Sequence, residues 1–300
     1  MFWGILLGIA TAVMQSLSYL VSASFIRKHG SGFKLLIFSH LAMGAVSAFL
    51  LPFFFPDKFF SGGVKYLLLL GLWVVSFVLG QGGFFFSQKH IESSRLASLL
   101  GLKIIVLAFA WVFIFGQALN RLQMSGILLS CCAAFMMNWS GGKSLTFKGI
   151  LAWAVTLISF SATDLAETEM VLFADQGNIV TAGIGITLLC YLVLGICSVP
   201  FLFKTPWHWQ IQKDAFPFAL LWLFSQMTLL ICFGLVGPVF GNIVQSSRGM
   251  FSVALGVIAC RMNWDVMEFC NDRRMWIRRG IAALMMTAGI ICFSFGKIID

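Results

Sequence analysis

Charged side chains are scarce in this sequence, and their scarcity excludes the soluble classes of protein. Only 10% of the 300 residues are Asp, Glu, Lys or Arg, whereas a soluble domain carries roughly a quarter. The remainder is strongly apolar, with 60% hydrophobic residues, 32 phenylalanines and a mean hydropathy of +0.95. A soluble core at this chain length does not hide so much apolar surface. The composition therefore predicts an all-α integral membrane protein with several spanning helices.

Motifs of catalysis and of cofactor binding are also missing. The sequence has no complete phosphate-binding Gly-x-x-x-x-Gly-Lys-Ser/Thr loop, no Gly-x-Ser-x-Gly and no His-Glu-x-x-His, so ATP-driven transport and hydrolysis have no support. The eight cysteines fall mostly inside apolar runs and show neither metal spacing nor a disulfide framework. The net charge of +9 is not accompanied by an aromatic-basic patch of the nucleic-acid type. We therefore expect no enzyme activity, no cofactor, no metal and no nucleic-acid partner.

Ten apolar runs are long enough to cross a bilayer, which takes about 20 residues. The first run lacks the basic segment of a signal peptide and is long enough to span, so it counts as a helix. A polar joint at Gly141, Gly142 and Lys143 divides the chain into residues 1–142 and 143–300. The predicted helices are Phe2–Phe25, Lys34–Phe54, Val64–Ser87, Glu92–Phe115, Gln123–Trp139, Phe147–Phe173, Asn178–Phe203, Ala215–Leu235, Val239–Met262 and Trp276–Gly296.

The two halves look like copies of one unit. Lys103 and Arg248 lie 145 positions apart, each near the middle of a hydrophobic run, and the same offset relates Gln81 to Gln226. Five helices in each half is an odd number, so the two copies have opposite orientations across the membrane. The sequence therefore predicts ten transmembrane helices as two inverted five-helix repeats. Many transporters have this plan, with the substrate site near the midplane between the repeats.

The two central cations, Lys103 and Arg248, are the first candidates for substrate binding. A charge at bilayer depth costs a few kcal/mol or more and usually faces a cavity. Arginine offers a planar fork and lysine a point charge to a carboxylate or phosphate. The alternative is structural, with each cation paired to an internal carboxylate so that it only locks helices together.

Helix Phe147–Phe173 supplies two carboxylates, Asp164 and Glu167, that either neutralise the cations or carry a coupling proton. Their spacing of three residues places them on one helix face, and buried carboxyls in membrane helices serve as proton relays. Polar and aromatic residues of other helices complete the predicted substrate site. These further candidates are Gln15, Tyr19, Gln81, Trp111, Gln226, Asn242 and Gln245.

Three segments of the first half resemble a known family. The run HIESSRLASLL at His90–Leu100, the turn GQAL at Gly116–Leu119 and the segment QMSGILL at Gln123–Leu129 resemble the EamA-type repeat of the drug/metabolite transporter superfamily. The second-half segments Gly237–Met262 and Gly280–Ala282 resemble the same repeat more loosely. The resemblance implies a ten-helix bundle of inverted repeats that moves a small solute by alternating access. Organophosphate carriers of this superfamily are similar in using cations in the same two helices.

The residues and the resemblance together predict a secondary active transporter in the cell (inner) membrane. Its substrate is expected to be a small polar metabolite that is anionic or bears a carboxylate, moved by export or exchange. Two alternatives stay open: a flippase for a lipid-linked intermediate, and a non-transporting membrane scaffold. Expected partners are the substrate and the lipid bilayer, with protons and a second copy of the chain as open questions. Cations of the loops favour both termini outside, whereas the resemblance implies both inside.

Overall fold

Helices joined by turns make up the described part of the chain, in which no β-strand occurs. The computed structural model describes residues 1–55, 63–89, 91, 96, 99–114, 116, 118–138, 147–175, 177–205, 207–261 and 273–299. The α-helices within these ranges are α1 (Phe2–His29), α2 (Gly32–Leu50), α3 (Gly63–Ser87), α4 (Lys103–Phe113), α5 (Arg121–Asn138), α6 (Phe147–Ala174), α7 (Ile179–Ser198), α8 (Trp209–Val236), α9 (Pro238–Gln245), α10 (Arg248–Arg261) and α11 (Arg273–Ile299).

Six helical spans in these ranges are long and apolar enough to cross a membrane. They are α1, α3, α6 and α8, together with α2 and α7 when each is extended by the 3₁₀ turn that follows it. Shorter apolar helical stretches lie at Leu100–Ala110, Arg121–Met136 and Leu284–Gly296. The chain is therefore an all-helical, integral, multi-pass membrane protein. The count of ten helices and the boundary at residues 142 and 143 stay predictions.

The exposed face of α3 shows that the apolar side chains point outward. Leu67, Leu68 and Val75 expose 64%, 68% and 60% of their surface. In water this apolar face would need a partner, whereas in a bilayer the lipid chains cover it. Polar side chains are placed inside instead, where Gln81 on the same helix is 1% exposed. This polar interior contains the candidate site.

Long helices of the two halves pack against each other in a reciprocal pattern. Helix α1 lies along α8, α3 lies along α6, α2 packs against α7, and α5 lies along α11. Glycines allow the closest approach, at the crossing of α2 and α7. A methyl group on Gly44 would lie 2.7 Å from the α-carbon of Gly195, and one on Gly195 would lie 2.6 Å from that of Gly44. Only glycine fits at these two positions, so the two backbones touch.

The predicted helix Val239–Met262 is interrupted in the structure, which is a correction to the continuous run. Helix α9 ends at Gln245, α10 begins at Arg248, and a turn at Ser246–Ser247 joins them. The N–H of Gly249 donates to the Ser246 carbonyl at 3.1 Å, in the tighter i to i−3 pattern of a 3₁₀ turn. Mid-helix turns of this kind often mark functional positions.

The first half has a similar irregularity at the corresponding position. A 3₁₀ turn at Leu100–Leu102 leads into α4, whose first residue is Lys103. A methyl group on Gly101 would lie 3.4 Å from the Cβ of Ser246. The two irregular turns therefore contact each other, and each is followed directly by one of the central cations.

Candidate functional site

Lys103 forms a buried ion pair with Asp164. The Lys103 Nζ atom lies 2.7 Å from Asp164 Oδ2, and the two side chains are 4% and 6% exposed. The Nδ2 group of Asn242 donates to the same carboxylate oxygen at 2.7 Å. Helices α4, α6 and α9 are joined by this cluster. A buried pair that also accepts a further hydrogen bond recovers part of the cost of its desolvation.

Arg248 contacts residues of α1 through its side chain and its backbone. Its guanidinium donates to Gln15 Oε1 at 3.0 Å, and the Nε2 group of Gln245 donates to the same oxygen at 3.0 Å. The backbone carbonyl of Arg248 accepts from Ser16 Oγ at 2.9 Å. All four residues are buried. The planar guanidinium of an arginine can donate two parallel hydrogen bonds to a carboxylate or phosphate.

Both cations line one cavity in the middle of the bundle, of about 20 Å³. That volume holds about one water molecule. Larger cavities of about 250 and 230 Å³ lie at the ends of the helices and contain neither cation. The residues that line the central cavity are Gln15, Tyr19, Phe77, Lys103, Phe160, Thr163, Asp164, Trp222, Gln226, Leu229, Gln245 and Arg248.

Eight of the twelve lining residues form pairs that are 145 positions apart in the sequence. Helix α1 and its counterpart α6 supply such residues, as do α3 and α8, and α4 and α10. The cavity wall therefore contains matching sequence positions from both halves of the chain. The four pairs are Gln15 with Phe160, Tyr19 with Asp164, Phe77 with Trp222, and Lys103 with Arg248.

Glu167 lies one helical turn from Asp164, in different surroundings. Its Oε1 atom accepts a hydrogen bond from Trp73 Nε1 at 2.5 Å. The Oε2 atom has no hydrogen-bond partner among the described residues, and the side chain is 1% exposed. The rings of Trp73 and Phe77 stack with centroids 4.9 Å apart. The two carboxylates that the sequence treats alike therefore differ in their partners.

Most of the other predicted site residues gather at the same cavity. Tyr19 and Gln226 line it, and Asn242 reaches it through Asp164. Gln81 lies elsewhere, where its Oε1 atom is 2.8 Å from His40 Nε2. The backbone of Trp111 lies in α4, and its side chain is outside the described residues.

Sequence reasoning missed the aromatic part of the cavity wall. Phe77 and Trp222 line the cavity with ring centroids 6.2 Å apart, yet neither was a candidate because aromatic residues make up 15% of the chain. The offset of 145 that relates the two rings is the signal that would have found them.

A second missed feature lies at the α1–α8 end, where Asp214 Oδ2 is 2.8 Å from Lys28 Nζ and 2.7 Å from His29 Nε2.

Comparison with known proteins gives one family and one fold. A solved structure described only as "Crystal structure of protein" has a TM-score of 0.63 and 13% identity, covering 96% of this chain and 95% of that chain. At this identity the similarity shows a shared fold alone. No curated protein matches the chain significantly. Residues 2–139 match the model of the EamA-like transporter family. This match confirms the predicted resemblance of the first half of the chain to the EamA-like transporter family.

Proposed function

We propose that this protein is a secondary active transporter that exports or exchanges a small polar metabolite bearing a carboxylate or another anionic group. The observation that carries the proposal is the central cavity, whose wall contains Lys103 and Arg248 at matching positions of the two halves. Substrate sites of inverted-repeat transporters lie between the repeats in this way. The cell (inner) membrane is the proposed location.

Reciprocal helix packing supports two inverted repeats in residues 1–142 and 143–300. If α1 corresponds to α6 and α3 to α8, then the α1–α8 contact and the α3–α6 contact are the same interface seen from the two halves. The α2–α7 contact pairs counterparts directly, and there Gly44 and Gly195 approach each other in turn. Such a pattern is expected of an approximate twofold axis between oppositely oriented copies. Ten transmembrane helices remain part of the proposal.

A difference between the two ends of the bundle supports alternating access. At the α1–α8 end, Asp214 contacts both Lys28 and His29. At the α3–α6 end, the offset of 145 replaces Asp214 by Leu69 and Lys28 by Phe173, and these two residues line the cavity of about 250 Å³. Equivalent positions are thus held together at one end and separated by open space at the other. An alternating-access cycle would exchange these two arrangements.

The chemistry of the cavity favours a polar anion over a quaternary amine. Arg248 lines the cavity, and its guanidinium can engage a carboxylate in a bidentate contact. The Oδ1 atom of Asn242 and the Oε1 atom of Gln245 have no partner among the described residues. These buried acceptors are suited to a donor group of the substrate, such as a hydroxyl or an ammonium. Since the cavity holds about one water molecule, substrate entry requires the halves to move apart.

Ligand binding tests the substrate proposal. The purified protein would be screened by thermal unfolding against small carboxylates, phosphate esters, amines and neutral sugars. We expect anions to raise the unfolding temperature, and Arg248→Met to abolish that response while the variant stays helical. A ligand bound at 100 times its Kd adds about 2.7 kcal/mol of stability. Equal responses of wild type and Arg248→Met to every anion would contradict the proposal.

Cross-linking tests alternating access. In a cysteine-free background, His29→Cys with Asp214→Cys marks the α1–α8 end, and Leu69→Cys with Phe173→Cys marks the α3–α6 end. A short bifunctional thiol reagent should bridge either pair alone. Bridging the first pair should prevent bridging of the second in the same molecule, because both ends are not closed together. Efficient formation of both bridges in one molecule would exclude the exchange.

One contact favours a second candidate, the non-transporting scaffold. The Lys103–Asp164 ion pair is what the structural alternative predicts for Lys103. A scaffold would show no ligand response and no exchange between the two cross-links. A lipid-linked intermediate flippase would instead respond to lipid-bound anions in preference to soluble ones.

A further inference from the structure

The starting point is the unequal environment of the two α6 carboxylates. Asp164 has a cation at 2.7 Å and a donated hydrogen bond from Asn242. Glu167 has one donor, the indole N–H of Trp73, and a second oxygen with no partner in the described part of the chain. No ion pair of Glu167 is found within the same part. The structure therefore provides a counter-charge for Asp164 and only a neutral donor for Glu167.

The difference in partners determines which ionisation state of Glu167 its surroundings favour. A buried carboxylate with a single neutral donor loses its hydration without replacement, whereas the neutral acid loses far less. Lys103 is within electrostatic range of Glu167, but it is already paired with Asp164. The other titratable groups that interact with Glu167 among the described residues are Asp164 of the same helix and Cys190 and Tyr191 of α7, and none of them supplies a positive charge. The neutral acid is thus the form of Glu167 that these surroundings stabilise.

A pocket lies near Glu167 on one side. The cavity of about 250 Å³ lies along the α3–α6 seam, the same seam that holds the Trp73–Glu167 hydrogen bond. Leu69 lines this cavity and precedes Trp73 by four residues, which is about 6 Å along a helix. We name this cavity the seam pocket. It is lined by Lys65, Tyr66, Leu69, Glu169, Leu172 and Phe173.

On its other side Glu167 adjoins the central cavity. Trp73 stacks on Phe77, which lines that cavity, and Asp164 lines it one helical turn away. Glu167 is therefore situated between a pocket at one end of the bundle and the proposed substrate cavity. A group in this position could receive a proton from one compartment and respond to the charge in the substrate cavity.

We propose that Glu167 is a proton-binding site, loaded with a proton in this conformation and exchanging it with water in the seam pocket, while Asp164 stays ionised as the counter-ion of Lys103. The proton moves between the Glu167 carboxyl and water, so the step forms and breaks only O–H bonds. In the cycle, loss of this proton would add one negative charge beside the substrate cavity. That coupling role rests on the proposed transport function, whereas the protonation itself does not.

Infrared spectroscopy of the purified protein near neutral pH tests the protonation without any substrate. A protonated carboxylic acid has a C=O stretching band that a carboxylate lacks. We expect this band in the wild type, its loss in Glu167→Gln, and its retention in the double variant Lys103→Met with Asp164→Asn, which removes Asp164 without leaving an unpaired lysine beside Glu167. Circular dichroism and gel filtration would show that both proteins fold. Absence of the band in the wild type, its persistence in Glu167→Gln, or its loss in the double variant would overturn the proposal.

Exchange into heavy water tests the route. Deuterium shifts the acid band, so the rate of the shift reports how readily water reaches the group. Leu69→Trp fills the seam pocket and should slow the shift at least severalfold. The matched control is Leu36→Trp, which fills the cavity of about 230 Å³ lined by Leu36 and Lys89 and should leave the rate unchanged. Equal rates in both variants would refute the route. None of these outcomes depends on anion binding, so this proposal and the transporter proposal fail separately.

Discussion

The Lys103–Asp164 ion pair allows a test that separates substrate binding from structural pairing. Lys103→Met leaves the Asp164 carboxylate buried without its cation. Breaking a buried pair from one side costs about 3–5 kcal/mol, because a charge remains without compensation. The pair is a strong example of this case, since its atoms are 2.7 Å apart and both side chains are at most 6% exposed. We therefore expect Lys103→Met to lower the free energy of unfolding by that amount.

The double variant Lys103→Met with Asp164→Asn removes both charges. The amide introduced by Asp164→Asn still accepts the hydrogen bond that Asn242 donates to the carboxylate, so most of the lost stability should return. Unfolding in detergent, followed by circular dichroism, measures all four members of the cycle. If Lys103 binds substrate, the double variant recovers stability and still fails to respond to anions. Recovery of both stability and the full anion response would show that Lys103 is only structural.

Three further predictions follow from close contacts. Gly44→Ala should destabilise the protein by about 1–3 kcal/mol, because its methyl group would meet the α7 backbone. The matched control is Gly71→Ala, whose methyl group meets nothing within 4 Å and should be neutral. Equal losses of stability in thermal unfolding of the two variants would contradict this prediction. Gln15→Glu should place a carboxylate at the oxygen that Arg248 contacts, so the variant should fold but lose its anion response; a retained response would contradict the assignment. Asp214→Asn should speed amide hydrogen exchange at the α1–α8 end, because it weakens the contacts of Asp214 with Lys28 and His29. Unchanged exchange there would show that these contacts do not keep that end of the two helices together.

The membrane class and the gathering of polar residues could be predicted from the sequence. Low charge and long apolar runs determine the class, because the bilayer imposes a length and a composition on every spanning helix. The cations Lys103 and Arg248 stand out because a charge within such a run is costly. The offset of 145 then indicates that they occupy equivalent positions. The structure brings both to one cavity.

The partners of the two α6 carboxylates could not be predicted from the sequence. Asp164 and Glu167 are one helical turn apart on the same face, so sequence spacing offers either of them to Lys103. The structure pairs Lys103 with Asp164 and gives Glu167 to Trp73, because the neighbouring helices α4 and α3 approach different turns of α6. The helix interruption at Ser246 was equally hidden, since no proline marks that turn.

Under the proposed transport function, the pairs of residues 145 positions apart bear on how two similar halves would hold a substrate in one orientation. At the α2–α7 crossing the contact is alike from both sides, because Gly44 and Gly195 each meet the backbone of the other. The cavity wall is not alike, because Tyr19 has Asp164 as its counterpart and Gln15 has Phe160. An asymmetric ligand would therefore keep its contacts with Arg248 on one side and the aromatic rings on the other. In the proposed cycle, a crossing that is alike in both halves would let them move, and a cavity wall that differs between them would keep the substrate from reversing.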